Sequence, residues 1–326
     1  MRKAWPALRA AAILLGAILS AAEAGAQAWP ARPVRLIVPF APGGSADTLG
    51  RLMAQKLAEN LKQPFVVENR PGAGGAIGSE LVAKAAPDGY TLLVSGVASH
   101  ALAPALPAGT PYDPLRDFTH IALFGGPPAV LVVNPSLAAN DLHELVALAK
   151  SNPGKLSYGS PGNGTHGHLV GELLKRSAGI EVQHVPYRGA SGAVADVVAG
   201  HIPLASITLS TAAGQIHAGR VRALAVRAPA RLPDYPGVPT YAELGFPSLV
   251  ATIWFSLSGP ANLPVEIVER LNAGVRRALE QSEMRERLRP EGIEPGRLDA
   301  REFTTFVLEE TKRWAPVVRA SGARND

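Results

Sequence analysis

Two short runs carry the residue types that hold anions: Pro42-Gly43-Gly44-Ser45-Ala46-Asp47 and Ser160-Pro161-Gly162-Asn163-Gly164-Thr165. In each, glycines bare the backbone and a hydroxyl residue stands where a helix is expected to start. The first amides of a helix have no intrahelical acceptor, and the helix dipole adds about half a positive charge there, so an anion reaching them is stabilised. A plainer reading has the glycines allow tight turns while Ser45, Asp47 and Thr165 cap helices. Two matched runs without a competing catalytic group favour a carboxylate or similar anion held between them. Arg188, in a further loop, is of the type that pairs with a carboxylate.

Other chemistries find less support. No GxxxxGK[ST] occurs, and Gly72-Ala73-Gly74-Gly75-Ala76-Ile77-Gly78 puts Ile77 where the third glycine of a dinucleotide loop belongs. Ser160 lies in Tyr158-Gly159-Ser160-Pro161-Gly162, which lacks the first glycine of a nucleophile elbow. Triads are defined by geometry, so an exported hydrolase or lyase stays as the alternative. His166 and His168, with His184 and His201 further on, raise a metal site, but a two-residue spacing ligates only on extended chain and no carboxylate joins them. His168 is instead expected in the first turn of a helix, donating a hydrogen bond into a cleft or to the backbone, and no metal is expected.

The elements that must position these runs follow from periodicity. Leu36, Ile37, Val38 and Phe40 form an apolar run suited to a strand buried on both faces, and Leu49, Leu52, Met53, Leu57 and Leu61 recur at helical spacing. Strand 65–68, a glycine loop, helix 77–85 and strand 90–95 follow. The plan then repeats with strand 156–159, helix 168–177, strand 182–186, a loop with Arg188, Gly189 and Ala190, helix 191–199 and strand 202–208. Strands alternating with helices argue for mostly parallel sheets covered on both sides.

Between the repeats, the runs 121–124 and 129–133 are parted by Gly125-Gly126-Pro127-Pro128, and the second run reads as the crossing into a second lobe. After strand 221–226, residues 252–257 read as the return crossing, followed by helices 265–281, 284–288 and 300–314. The expected fold is therefore α/β, with lobe one discontinuous over 29–125 and 252–326, lobe two over 126–251, and a ligand cleft beside a two-strand hinge.

Residues 1–28 are expected to be a signal peptide: Arg2, Lys3 and Arg9 precede the apolar stretch from Ala10 to Leu19, and Ala26-Gln27-Ala28 gives the small-x-small cleavage pattern. The apolar stretch falls short of the ~20 residues that span a bilayer. Cleavage after Ala28 would leave a soluble, periplasmic chain. The 326 residues include no cysteine, which removes disulfides, lipid anchoring and thiolate metal sites. The formal charge of +5 comes partly from the leader, and the remaining arginines are scattered, so no nucleic-acid partner is expected.

The sequence resembles the Bug-type extracytoplasmic solute receptors, the substrate-binding proteins of tripartite tricarboxylate transport systems, over about 29–322. The resemblance rests on "WPARPVRLIVPFAPGGSAD", "VVENRPGAGGAIGSELVAKAAPDGYTLL", "NPGKLSYGSPGNGTHGHLVGELL", "HVPYRGASGAVADVVAG", "VRALAV" and "VPTYAELGFP", taken in that order. It implies a type II periplasmic-binding-protein fold whose lobes close on a small organic carboxylate, without catalysis or cofactor, and an integral-membrane permease as partner. A receptor feeding a two-component sensor would read the same way, and a monomer is expected.

Carried onto this chain, the resemblance implies ligand contacts from Gly43, Gly44, Ser45 and Asp47, from Ser99 and His100, from Ser160, Gly162, Asn163, Gly164, Thr165 and His168, and from Arg188, Gly189, Ala190 and Ser191. Asp47 either touches ligand or water or caps its helix. Two departures bear on specificity. Where relatives carry a polar "MFDN"-like segment, Ile207 and Thr208 replace the aspartate and asparagine, and Ala103 replaces an asparagine in "SHALAPAL". A less polar distal end, suited to an apolar or aromatic monocarboxylate rather than citrate or aspartate, is the expectation.

Overall fold

The computed structural model describes residues 29–249 and 253–323. The leader expected over 1–28, the return crossing's start at Thr252 and the lobe boundary beside it lie outside the described residues.

Strand β1 (Val34–Val38) buries Val34, Leu36, Ile37 and Val38 completely, as a strand covered on both faces requires. Helix α1 (Ser45–Leu61) follows it, then β2 (Phe65–Asn69), α2 (Ala76–Ala83), β3 (Thr91–Gly96), a π-helical turn over Ala98–Leu102, and β4 (Phe118–Gly125). Three residues later β5 (Ala129–Val133) begins the second sheet, continued by α3 (Leu142–Ser151), β6 (Leu156–Ser160), α4 (His166–Ala178), β7 (Val182–Pro186), α5 (Ala190–Ala199), β8 (Leu204–Thr208), α6 (Leu209–His217) and β9 (Arg222–Arg227). Strand β10 (Phe255–Pro260) returns to the first sheet, and α7 (Val265–Glu280), α8 (Ser282–Leu288) and α9 (Ala300–Ser321) complete the fold.

The two sheets have matching orders, β2-β1-β3-β10-β4 and β7-β6-β8-β5-β9. In each, one strand runs antiparallel to both neighbours: β10 in the first, β5 in the second. These are the two strands expected to make the crossings. Successive residues of a strand point to opposite faces, and β5 shows the result: Leu131 and Val133 pack with Leu145, Val170 and Leu174 on one side, while Val130 and Val132 pack with Ala193, Val194 and Ile207 on the other. The first sheet packs against α1 and α7 through Leu49, Leu57, Leu271 and Val275. On α9, buried Glu310 accepts from the indole N–H groups of Trp254 (3.0 Å) and Trp314 (2.9 Å), tying the return crossing to that helix.

Two helices escaped the sequence reading. Helix α3 has only a short apolar stripe, started by Asp141, whose carboxylate caps the Glu144 amide. Helix α6 begins directly after β8 with no glycine loop to announce it. Helix α9 runs beyond its expected end at Trp314 and through Pro316, because Val318 and Ser321 continue its buried stripe. Among the described residues no helix is long and apolar enough to cross a membrane.

Candidate functional site

The strand ends of the two sheets meet across a cleft that polar contacts hold shut. The Ala41 amide donates to the Arg188 carbonyl at 3.0 Å, and Ser191 Oγ donates to the Pro42 carbonyl at 2.9 Å. Ser45 Oγ shares hydrogen bonds with Thr208 Oγ1 (2.6 Å), Thr211 Oγ1 (3.1 Å) and Ser210 Oγ. Beneath these contacts lies a cavity of about 60 Å³, against the roughly 10–15 Å³ that one water needs. The first-sheet side lines it with Phe40, Gly44, Ser45, Ala46, Gly96, Val97, Ala98, Ser99, Ile253 and Phe255, and the second-sheet side with Pro161, Thr165, His166, Gly167, Ala190, Ile207 and Thr208.

Four helices start at this cavity: α1 at Gly44-Ser45, α4 at Thr165-His166, α5 at Ala190 and α6 after Thr208. None of the four has a side chain bonded to its first amides. Outside the cavity lining, α3 and α9 are capped by Asp141 and Asp299, whereas α2, α7 and α8 also start without a side-chain cap, so it is the convergence of four starts that sets the cavity apart. These starts bring the positive ends of four dipoles around one small volume, the first amide of α6 being taken by the Pro128 carbonyl at 2.9 Å, and no Asp or Glu is among its lining residues. That is an environment for an anion.

Asp47 shapes one of these starts without belonging to the lining. Its carboxylate accepts from the Gly43 amide (3.0 Å), Arg51 Nε (3.0 Å) and Asn69 Nδ2 (2.9 Å). Burial opposes its ionisation, but these bonds prevail and hold it below the ordinary aspartate range. Gly43 takes φ +82°, a conformation open to glycine and costly for other residues. Asp47 therefore anchors the loop; the cap position is Gly44.

Each lobe also holds a pair of histidines. In lobe two His168 and His184 stack at 4.1 Å with planes 4° apart. His184 Nε2 lies 2.6 Å from Ser160 Oγ, and His168 Nδ1 accepts from the Gly164 amide at 3.2 Å. Burial, then the charges of His168 and Lys175, push His184 down to about 3, far from the pKa near 7 that suits a general base. Ser160 is fully buried and outside the cavity lining, so the Ser-His contact braces the loop. In lobe one His100 and His120 lie 5.5 Å apart, each with Nε2 unpartnered. Burial pushes His120 down to about 4 and His100 well below the ordinary value.

The residues expected to touch a ligand thus separate. Gly44, Ser45, Ser99, Thr165, Ala190, Ile207 and Thr208 line the cavity. Gly162, Asn163 and Arg188 line an outer groove of about 500 Å³ with the loop Pro71–Gly75, which adjoins the cavity at Phe40 and Pro161. Gly43, Asp47, Ser160, Gly164, His168, Gly189 and Ser191 support the loops or close the lobes, and His100 sits in the lobe-one core, tied to Ser99 Oγ at 2.9 Å. Ala103 packs beneath Gly164 and is not among the cavity's lining residues. Ala46 of the first anion-binding run lines the cavity as well, whereas sequence reasoning missed His166 and Gly167 as lining residues, although they directly follow the second run and were legible as first-turn positions. It also missed Phe40, Val97, Ile253 and Phe255, whose apolar side chains look like core.

The model of the tripartite tricarboxylate transporter family receptor matches residues 49–323. Protein BugT of Bordetella pertussis is 37% identical over 305 residues, covering 93% of this chain and 94% of that protein. An R. palustris protein solved with adipate superposes with a TM-score of 0.87 at 35% identity, covering 91% of this chain and 99% of the other. MatC from Rhodopseudomonas palustris, solved with bound malate, gives a TM-score of 0.85 at 35% identity and covers 89% and 100% of the two chains.

Proposed function

This chain belongs to the tripartite tricarboxylate transporter receptor family, and from that premise we propose that it captures a small organic carboxylate between its lobes and hands it to a membrane permease. The observation that carries the reading is the meeting of four uncapped helix starts on one cavity without a lining carboxylate. Two structural neighbours hold dicarboxylates, adipate and malate. Here Phe40, Val97, Ile207, Ile253 and Phe255 supply much of the wall, which favours an apolar or aromatic monocarboxylate over citrate or aspartate. Binding occurs without turnover, because Ser160 is enclosed and His184 is a poor base.

The protein acts as a periplasmic monomer released from its leader after Ala28. Its lobes divide as 29–125 with 252–326, and 126–251, a division supported by the sheet membership of β5 and β10. Ligand binding shifts the hinge equilibrium toward the closed form that the permease reads. The test is a thermal-shift screen of the mature chain against monocarboxylates, dicarboxylates and neutral analogues. At a hundred times its dissociation constant a true ligand adds about 2.7 kcal/mol, or about 5 °C. Apolar monocarboxylates are expected to give that shift; citrate binding tenfold tighter than all of them would contradict the specificity, and stabilisation by neutral compounds alone would contradict the carboxylate reading.

A further inference from the structure

Arg227 ends β9 with 3% of its surface exposed, a cation withdrawn from water. Its Nη1 lies 2.6 Å from His166 Nε2 and its Nε has no hydrogen-bond partner. The charged or titratable groups felt nearby are Tyr241 and Arg313, neither of them a carboxylate, and Trp314 of α9 offers only a ring face 5.7 Å from the guanidinium carbon. A buried charge is ordinarily paired and fully hydrogen-bonded because desolvation is costly. Among the described residues Arg227 has no carboxylate partner, and its Nε stays unbonded.

His166 connects it to the cavity. This residue is the first of α4 and lines the cavity wall. A guanidinium only donates hydrogen bonds, so Nε2 is the acceptor and the ring proton sits on Nδ1, in a neutral imidazole. Burial and the neighbouring Arg227 charge both disfavour a second proton. The pair thus sets a polarised imidazole beside an uncapped helix start, with a full positive charge behind it.

We propose that Arg227 is the buried countercharge for the ligand's carboxylate, acting through His166 as a positioning residue that makes the cavity select an anion over its neutral analogue. This rests on the carboxylate-receptor reading and adds the group that sets its charge preference. The cargo's carboxylate then supplies, across His166, the negative charge that no described side chain gives the arginine.

Calorimetric titration of the mature chain with benzoate, adipate and malate, each against its amide, tests it. Arg227→Gln is expected to weaken the carboxylates that bind by about tenfold or more, as a charge acting across a partly desolvated site implies, while amide binding stays within twofold. Arg227→Lys recovers most of the loss, and His166→Gln shows the same selective loss should Arg227→Gln fail to fold. Unchanged carboxylate affinity in a folded Arg227→Gln or His166→Gln chain, or equal weakening of acid and amide, overturns the proposal alone. Wild-type chain that binds none of the acids overturns the receptor reading and this proposal with it. Independently of ligand, nitrogen NMR of His166 is expected to show a neutral ring protonated on Nδ1; protonation on Nε2 also overturns it.

Discussion

The two lobes share a strand order but present different chemistry to the cleft. Lobe one offers the start of a single helix, α1, beside an apolar wall of Phe40, Val97, Ala98, Ile253 and Phe255. Lobe two offers the starts of α4, α5 and α6 together with His166 and the arginine behind it. The repeated topology fixes where loops fall, whereas a few residues at each loop decide what they present. On the function proposed above, lobe two grips the charge and lobe one covers the rest of the cargo.

The sharpest way to break this division compares two glycines. A methyl group on Gly167 would overlap the Ser206 carbonyl oxygen and press on Pro161 Cδ at 2.8 Å. Gly167→Ala is expected to cost about 3 kcal/mol in urea denaturation and to abolish binding. At Gly44 the added methyl meets only ordinary contacts, at 3.9 and 4.0 Å. Gly44→Ala is expected to keep the wild-type midpoint and weaken carboxylate binding by crowding the start of α1. Equal loss of stability in both variants would mean that the two loops are not built differently.

The histidine pairs give the next largest effect. The folded pKa values of His100, His120 and His184 lie below the unfolded value of about 6.5, so below that pH the unfolded chain binds more protons and stability falls with acid, until the folded groups titrate near 4 for His120 and 3 for His184. For His120, only 3% exposed, the loss between pH 6.5 and 4.5 is about 2–3 kcal/mol. His120→Gln is expected to flatten the acid limb of a stability-against-pH curve more than His184→Gln, because His184 is less buried. An unaltered limb in His120→Gln would place the acid sensitivity elsewhere.

Smaller effects sit on the contacts between the lobes. Ser45→Ala removes one member of a four-hydroxyl cluster, worth about 1 kcal/mol. It should weaken binding about fivefold and enlarge the unliganded particle in small-angle scattering; an unchanged radius would show that the cluster does not bias closure. Arg188 contributes its backbone carbonyl to closure while its residue lines the outer groove. Arg188→Ala is accordingly expected to change carboxylate affinity by less than twofold in the same titration, and a tenfold loss would return that side chain to the cavity.

How much of this was legible in the sequence depends on what each residue does locally. Buried parallel strands and their glycine loops announce themselves, because an apolar run followed by glycine and a hydroxyl residue has few alternative structures. Strand β7 and the starts of β2, β5 and β6 fall where the pattern placed them. The resemblance named loop residues, but Gly44 and Gly162 look alike in sequence and differ only in which loop the opposite lobe brings near: Gly44 reaches the cavity and Gly162 the outer groove. The pairing of Arg227 with His166 joins residues 61 positions apart, at the end of β9 and the start of α4, and has no local signal. Phe40 and Phe255 face the cavity from strand ends, where an apolar side chain is indistinguishable from core.

The central claim, that lobe two grips a carboxylate, is tested most directly by native mass spectrometry of the freshly purified mature chain, with release and identification of whatever it carries. A small organic acid bound one to one, recovered chemically unchanged and lost from Arg227→Gln, is the predicted result. A neutral or cationic molecule retained equally by both chains would contradict it.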